Sequence, residues 1–98
     1  MALKIIWNKR ALNNFNKILD YLEHSFGEQT AKSFVVRSYN IIEQLSENPN
    51  LGSLELKAKN IRGILISKHN RLFYRLTEEE IILLNFFDIR QKPKKKKY

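Results

Sequence analysis

The amino-acid sequence predicts an α+β fold of order β-α-α-β-β-β, with a two-helix antiparallel hairpin packed on one face of a mostly antiparallel, twisted sheet. Residues 11–45 hold two apolar stripes at steps of three and four, with Gly27 between them, the spacing of helices that each bury one face. Residues 61–90 hold three consecutive strand-like runs joined by short polar turns. A short apolar run precedes the first stripe. Helices on one face of a sheet leave its other face partly open.

The elements follow in order. Leu3-Lys4-Ile5-Ile6-Trp7 reads as a strand with Leu3, Ile5 and Trp7 on one side. Asn8 suits an N-cap, its side-chain oxygen taking an amide of the first helical turn. Ala11, Leu12, Phe15, Ile18, Leu19 and Leu22 form the first stripe, and Gly27 ends that helix. Glu28 opens the second helix near the positive end of its dipole. Ala31, Phe34, Val35, Ser38, Ile41, Ile42 and Leu45 form its stripe, to about Ser46, before Pro49 and Gly52. Phe26 and Tyr39 read as core or rim aromatics.

Residues 48–60 read as an irregular connection, pinned to the body by Leu51, Leu54 and Leu56. The strand run Ile61–Arg90 follows. Its first turn, Lys68-His69-Asn70-Arg71, is tight, with Asn70 tolerating positive φ. The second turn, Thr77–Glu80, is acidic. Ile81-Ile82-Leu83-Leu84 is apolar at consecutive positions, predicting a strand buried on both faces in the middle of the sheet. On the strand between the turns, Leu72, Tyr74 and Leu76 alternate with Arg71, Phe73 and Arg75. The first set packs on the helices, Tyr74 as a core residue. The second forms an Arg-aromatic-Arg face suited to an anion.

The chain reads as one domain over residues 1–90 with a basic tail at residues 91–98. Lys and Arg number 18 against 10 Asp and Glu. Residues 1–47 carry six basic and five acidic side chains, and residues 48–98 twelve and five. The excess therefore sits with the predicted sheet and tail, a footprint for a polyanion. Lys57, Lys59, Lys68, Arg75 and Lys92 are the candidate contacts to nucleic acid or to an acidic partner. The Lys94–Lys97 run is expected to be disordered alone and to add salt-dependent attraction to phosphate.

The absence of cysteine excludes disulfide scaffolds and cysteine metal sites, and fits a reducing compartment. No apolar run suits a signal peptide or a membrane span, so a cytoplasmic location is expected. No glycine-rich phosphate loop, Ser-His-Asp set or metal-ligand spacing occurs, so no cofactor and no metal is expected. His24 suits the end of the first helix and is given no function.

Four stretches together resemble the RelE/ParE family of toxins from bacterial toxin–antitoxin pairs, over nearly the whole chain. IIWNKRALNNFNKILDYL is similar to the family's first strand and helix. AKSFVVRSYNIIEQLSENPNLGS is similar to its second helix with the following proline and glycine. RLFYRL is similar to its Tyr-Arg-hydrophobic strand, and IILLNFFDIRQKP to its last strand and basic end. The long hairpin looks closer to the ParE side. The resemblance implies a growth-inhibiting toxin held by a cognate antitoxin. It also implies one of two targets: DNA gyrase for ParE-like members, or ribosome-bound mRNA for RelE-like endonucleases.

Nucleases of the family carry two lysines, a strand arginine, and an arginine and a tyrosine near the C-terminus. The corresponding positions here are Arg62 and Ile64, Arg71, Arg90, and loosely Tyr98. Metal-free RNA cleavage needs a base, a cationic clamp on the phosphorane and an acid. Arg62, Arg71 and Arg90 are suited to the clamp, and His69 to acid–base work, its unperturbed pKa lying nearest neutrality. Ile64 departs from the pattern and favours the gyrase reading. A non-toxic basic nucleic-acid-binding module is the alternative from another class.

Overall fold

The computed structural model describes residues 2–90 and residue 98. Lys92, Pro93 and the Lys94–Lys97 run lie outside the described residues. The elements are β1 (Lys4–Trp7), α1 (Lys9–Phe26), α2 (Glu28–Glu47), β2 (Ser53–Leu56), β3 (Ile61–Ser67), β4 (Asn70–Leu76) and β5 (Glu80–Asp88), with 3-10 turns at Pro49–Leu51 and Lys57–Lys59. The predicted α+β class holds: both helices pack on one face of a five-stranded sheet of order β1-β5-β4-β3-β2. Only the β1–β5 pair is parallel.

The helices form for the reasons their sequences suggest. Asn8 Oδ1 accepts the Ala11 amide at 2.7 Å and caps α1. Gly27 at φ 98° ends α1 and leads directly into α2, a backbone conformation glycine adopts without steric cost. Ala11 and Phe15 of α1, and Ala31, Phe34, Ser38, Ile42 and Leu45 of α2, are buried. Ala11, Phe15, Phe34, Ile42 and Leu45 join one core cluster with Leu72, Tyr74, Ile81, Leu83 and Phe86 from the sheet. Trp7, Phe15 and Phe86 form the aromatic centre, with Phe15 and Phe86 ring centroids 4.9 Å apart and Trp7 stacked on Phe86 at 5.5 Å. Tyr39 sits at its rim, 6.0 Å from Trp7, while Phe26 is exposed and packs edge-on against Tyr21.

Four features differ from the sequence reading. The connection contributes β2, a short edge strand that pairs antiparallel with β3, Ser53 opposite Gly63 and Leu54 opposite Arg62. It is not pinned by Leu51 and Leu54, which are each 46% exposed. Instead Tyr74 Oη donates to the Pro49 carbonyl at 2.8 Å and accepts the Gly52 amide at 2.9 Å.

Asn70 does not carry positive φ. Among the described non-glycine residues that conformation belongs to Asn60, at φ 54°. Asn60 lets the chain turn from the Lys57–Lys59 segment into β3, and its side chain donates to the Leu76 carbonyl. Asn70 already pairs in the sheet and donates to Ser67 Oγ at 3.1 Å.

The central strand is β4, not β5, which lies between β1 and β4. Ile81 and Leu83 are buried, but Ile82 and Leu84 are only half-buried, since the helices cover one face.

Candidate functional site

Register decides which charged groups share a face. Across β3 and β4, Arg62 stands opposite Tyr74, Ile64 opposite Leu72, Gly63 opposite Phe73 and Leu65 opposite Arg71. Opposed residues in an antiparallel pair point the same way. Leu72 and Tyr74 belong to the core under the helices, so Arg62 and Ile64 lie on the helix side. Arg71, Phe73 and Arg75 alternate with them and lie on the opposite face, as the strand pattern requires.

On that face Phe73 is 1% exposed, against the rings of Phe87 at 6.2 Å and Tyr98 at 5.4 Å. The Arg71 guanidinium carbon stands 5.7 Å from the Phe73 ring centroid. Its Nη2 donates to Ser53 Oγ at 3.2 Å and lies 3.5 Å from Glu55 Oε2. Gly63 makes room for this group, because a Cβ there would stand 2.9 Å from both Arg71 Nη2 and a Phe73 ring carbon. Arg75 is exposed on the same strand. Lys57 and Lys59 occupy the turn leading into β3, the Arg75 end of this face.

Lys68 and His69 sit at the other end of β3, roughly 20 Å away for a seven-residue strand. They border a cleft of about 730 Å³ between the helical hairpin and the β3–β4 turn. Lys17, Tyr21, Arg37, Asp88 and Arg90 also line it. Arg90 is clamped there: Nε and Nη2 donate to Asp88 at 3.0 and 2.7 Å. These bonds hold the Asp88 carboxyl below the usual carboxylate range, against the opposing effect of burial, with His69 adding a smaller attraction. The same pairing raises the Arg90 guanidinium further above its ordinary value.

Arg62 donates through Nη1 to the Gly52 carbonyl at 2.8 Å, beside the Tyr74 hydroxyl. Burial pushes the Tyr74 phenol up, while the Gly52 hydrogen bond and the Arg62 charge oppose that. The three arginines matched to the family's nuclease positions are therefore not gathered into one clamp. Arg71 is on the open face, Arg62 supports the connection before β3 on the other, and Arg90 is bound at the hairpin cleft. His69 accompanies Arg90 and not Arg71. Tyr98 does come to the Arg71 face.

Sequence reasoning missed Glu55 and Asp88, the two carboxylates that engage Arg71 and Arg90. Asp88 carried a local signal, standing two residues before Arg90. Glu55 had none, because its partner lies sixteen positions away in the sequence and meets it only across β3.

The described residues hold no group of three or more His, Cys, Asp or Glu able to bind a metal, and no helix long and apolar enough to cross a membrane.

Comparison with known proteins bears on this arrangement. The structure is similar to a chain of the chromosomal ParDE toxin–antitoxin system of P. aeruginosa, with a TM-score of 0.74 at 17% identity, covering 90% of this chain and 97% of that one. It is also similar to the YoeB dimer of Staphylococcus aureus, at TM-score 0.61 and 16% identity, covering 87% and 94%. A YoeB/ParE toxin of Agrobacterium tumefaciens gives 0.63 at 13%, covering 88% and 98%. At such identities the likeness concerns the fold. No curated protein matches by sequence. The sequence model of the ParE toxin of the type II parDE toxin–antitoxin system, however, matches residues 5–93. Nearly the whole chain is thus accounted for, from β1 past the end of β5, and the protein belongs to the ParE toxin family of type II toxin–antitoxin systems.

Proposed function

We propose that this chain is a growth-inhibiting toxin neutralised by a cognate antitoxin protein, and that it acts by interfering with DNA gyrase without itself catalysing a reaction. The observation that carries the reading is the separation of Arg62 and Arg90 from Arg71. Phosphoryl chemistry needs its cations around one phosphorus, and here one arginine holds a backbone carbonyl and another a carboxylate. Ile64, directed toward the core beside Leu72, supplies no charge at the second lysine position. The ParE match and the long hairpin agree with this. A bound antitoxin is in keeping with the complex of the similar YoeB toxin with YefM in S. aureus. Arg71 and Arg75 are the proposed contacts of the open face, with Lys57 and Lys59 at its end.

Inducing the chain without an antitoxin in a bacterial host tests the proposal. Growth arrest, a DNA-damage response and loss of gyrase supercoiling by the purified protein are expected. Normal growth in cells holding soluble, folded protein would sink the toxin reading.

A ribosome-dependent mRNA endonuclease is the second reading, favoured by the packing of Tyr98 against Phe73 on the Arg71 face. It requires early loss of protein synthesis, cuts in ribosome-bound mRNA, and loss of toxicity in both Arg71→Ala and Arg90→Ala.

A further inference from the structure

The open face already carries an anion of its own. Ser53 lies opposite Gly63, which places Ser53, and by alternation Glu55, on the Arg71 side. Ser53 Oγ donates to Glu55 Oε2 at 2.9 Å and accepts from Arg71 Nη2 at 3.2 Å. The hydroxyl therefore bridges the two charges. The Glu55–Arg71 contact itself is a single 3.5 Å approach between side chains that are 25% and 30% exposed.

Two features make this contact weaker than the other arginine–carboxylate pair. Arg90 grips Asp88 through two bonds of 2.7 and 3.0 Å, the bidentate geometry that suits guanidinium. Arg71 gives Glu55 one nitrogen, and its Nε is buried with no hydrogen-bond partner. Glu55 also sits where the β2–β3 register shifts, between Leu54 and Leu56, without a paired residue of its own. Its side chain can swing away without disturbing a ladder pair.

We propose that Glu55 is a built-in competitor for Arg71: the phosphodiester backbone of a nucleic acid reaches the guanidinium only by displacing this carboxylate. The inference rests on the reading of the Arg71 face as anion-binding and adds to it the residue that sets its threshold. An isolated anion gains little by replacing one carboxylate with another charge. A backbone presenting successive phosphates to Arg71 and Arg75 gains the second contact as well. Nucleic acid is favoured over an acidic protein segment because the basic excess lies in the half of the chain that holds this sheet and the lysine tail, and a nucleic-acid backbone carries a charge at every phosphate along its length.

The test is binding of a short fluorescein-labelled single-stranded RNA, and DNA of the same sequence, to the full-length chain at low salt. Glu55→Gln is expected to bind roughly two- to five-fold more tightly than wild type, the worth of one partly exposed ion pair. Arg71→Ala weakens binding, and adding Glu55→Gln to it restores nothing. Circular dichroism establishes that each variant is folded. If Glu55→Gln is not, Ser53→Ala, which removes the bridging hydroxyl, carries the test with a smaller gain of the same sign. Equal affinity of wild type and the folded variant, with Arg71→Ala weakened, overturns the competitor role and leaves the face intact. Unchanged binding in Arg71→Ala overturns the underlying reading. A response to RNA but not DNA, or displacement by polyglutamate as effective as by nucleic acid, overturns the assignment to the phosphodiester backbone.

Discussion

The hydroxyl of Tyr74 lies between two backbone groups of the connection before β2, accepting the Gly52 amide at 2.9 Å and donating to the Pro49 carbonyl at 2.8 Å. A Cβ on Gly52 would stand 2.5 Å from that hydroxyl, so the close approach depends on glycine. One core side chain thus holds the segment whose downstream end carries Ser53 and Glu55.

Tyr74→Phe keeps the ring packing and removes both bonds. It should cost about 1–3 kcal/mol, the penalty of leaving buried polar groups unsatisfied, read by urea unfolding. Gly52→Ala should cost at least as much, since the clash involves a hydroxyl fixed by its own core ring. Because burial raises the Tyr74 pKa, the unfolded chain ionises first. The corresponding stability is complete below about pH 10, the unfolded value, and declines as pH rises from there through the folded value. Tyr74→Phe should flatten that alkaline decline.

Ser38 is fully buried in the α2 stripe, and its Oγ has no hydrogen-bond partner. Ser38→Ala removes a desolvated hydroxyl and opens little space. A gain of about 1 kcal/mol is expected, measured as a shift of the urea midpoint at constant slope. A loss of stability would mean that the hydroxyl is satisfied in solution.

Asp88 titrates in the opposite sense from Tyr74. Its folded pKa is lowered, first by the Arg90 hydrogen bond. The stability it contributes is present above the unfolded value of about 3.9 and is lost as pH falls through the folded value. Asp88→Asn should therefore lower stability at neutral pH and make the acid limb of the pH–stability curve shallower. Arg90→Ala should reproduce both effects. An acid limb identical to wild type in both variants would show that solvent screening cancels the pair.

Ile64→Lys restores the charge of the family's second nuclease lysine. It places the ammonium on the helix side, beside Leu72 and against the core. We expect a loss of about 2–4 kcal/mol, as for an unpaired polar group in an apolar setting, and no gain of RNA cleavage on translating ribosomes. Cleavage by a folded Ile64→Lys variant would show that the positions converge after all.

The sequence by itself determined the local structure. Asn8 and Gly27 mark helix ends, the two stripes mark buried helix faces, and the alternation of RLFYRL separates Arg71 and Arg75 from Tyr74. Each of these depends on neighbours within a few residues, where helix and strand periodicity alone assigns the side. The edge strand β2 escaped because Ser53-Leu54-Glu55-Leu56 alternates over only four residues, too short a run to distinguish from a loop without its pairing to β3. Only tertiary structure decided the partners of the charges. Strand register sets Arg62 opposite Tyr74, the closure of β5 brings Asp88 and Arg90 to the hairpin, and the return of β2 beside β3 carries Glu55 to Arg71. Pairings between distant residues are fixed by register and packing, and these resolve a row of arginines that reads as one basic cluster into three separate environments.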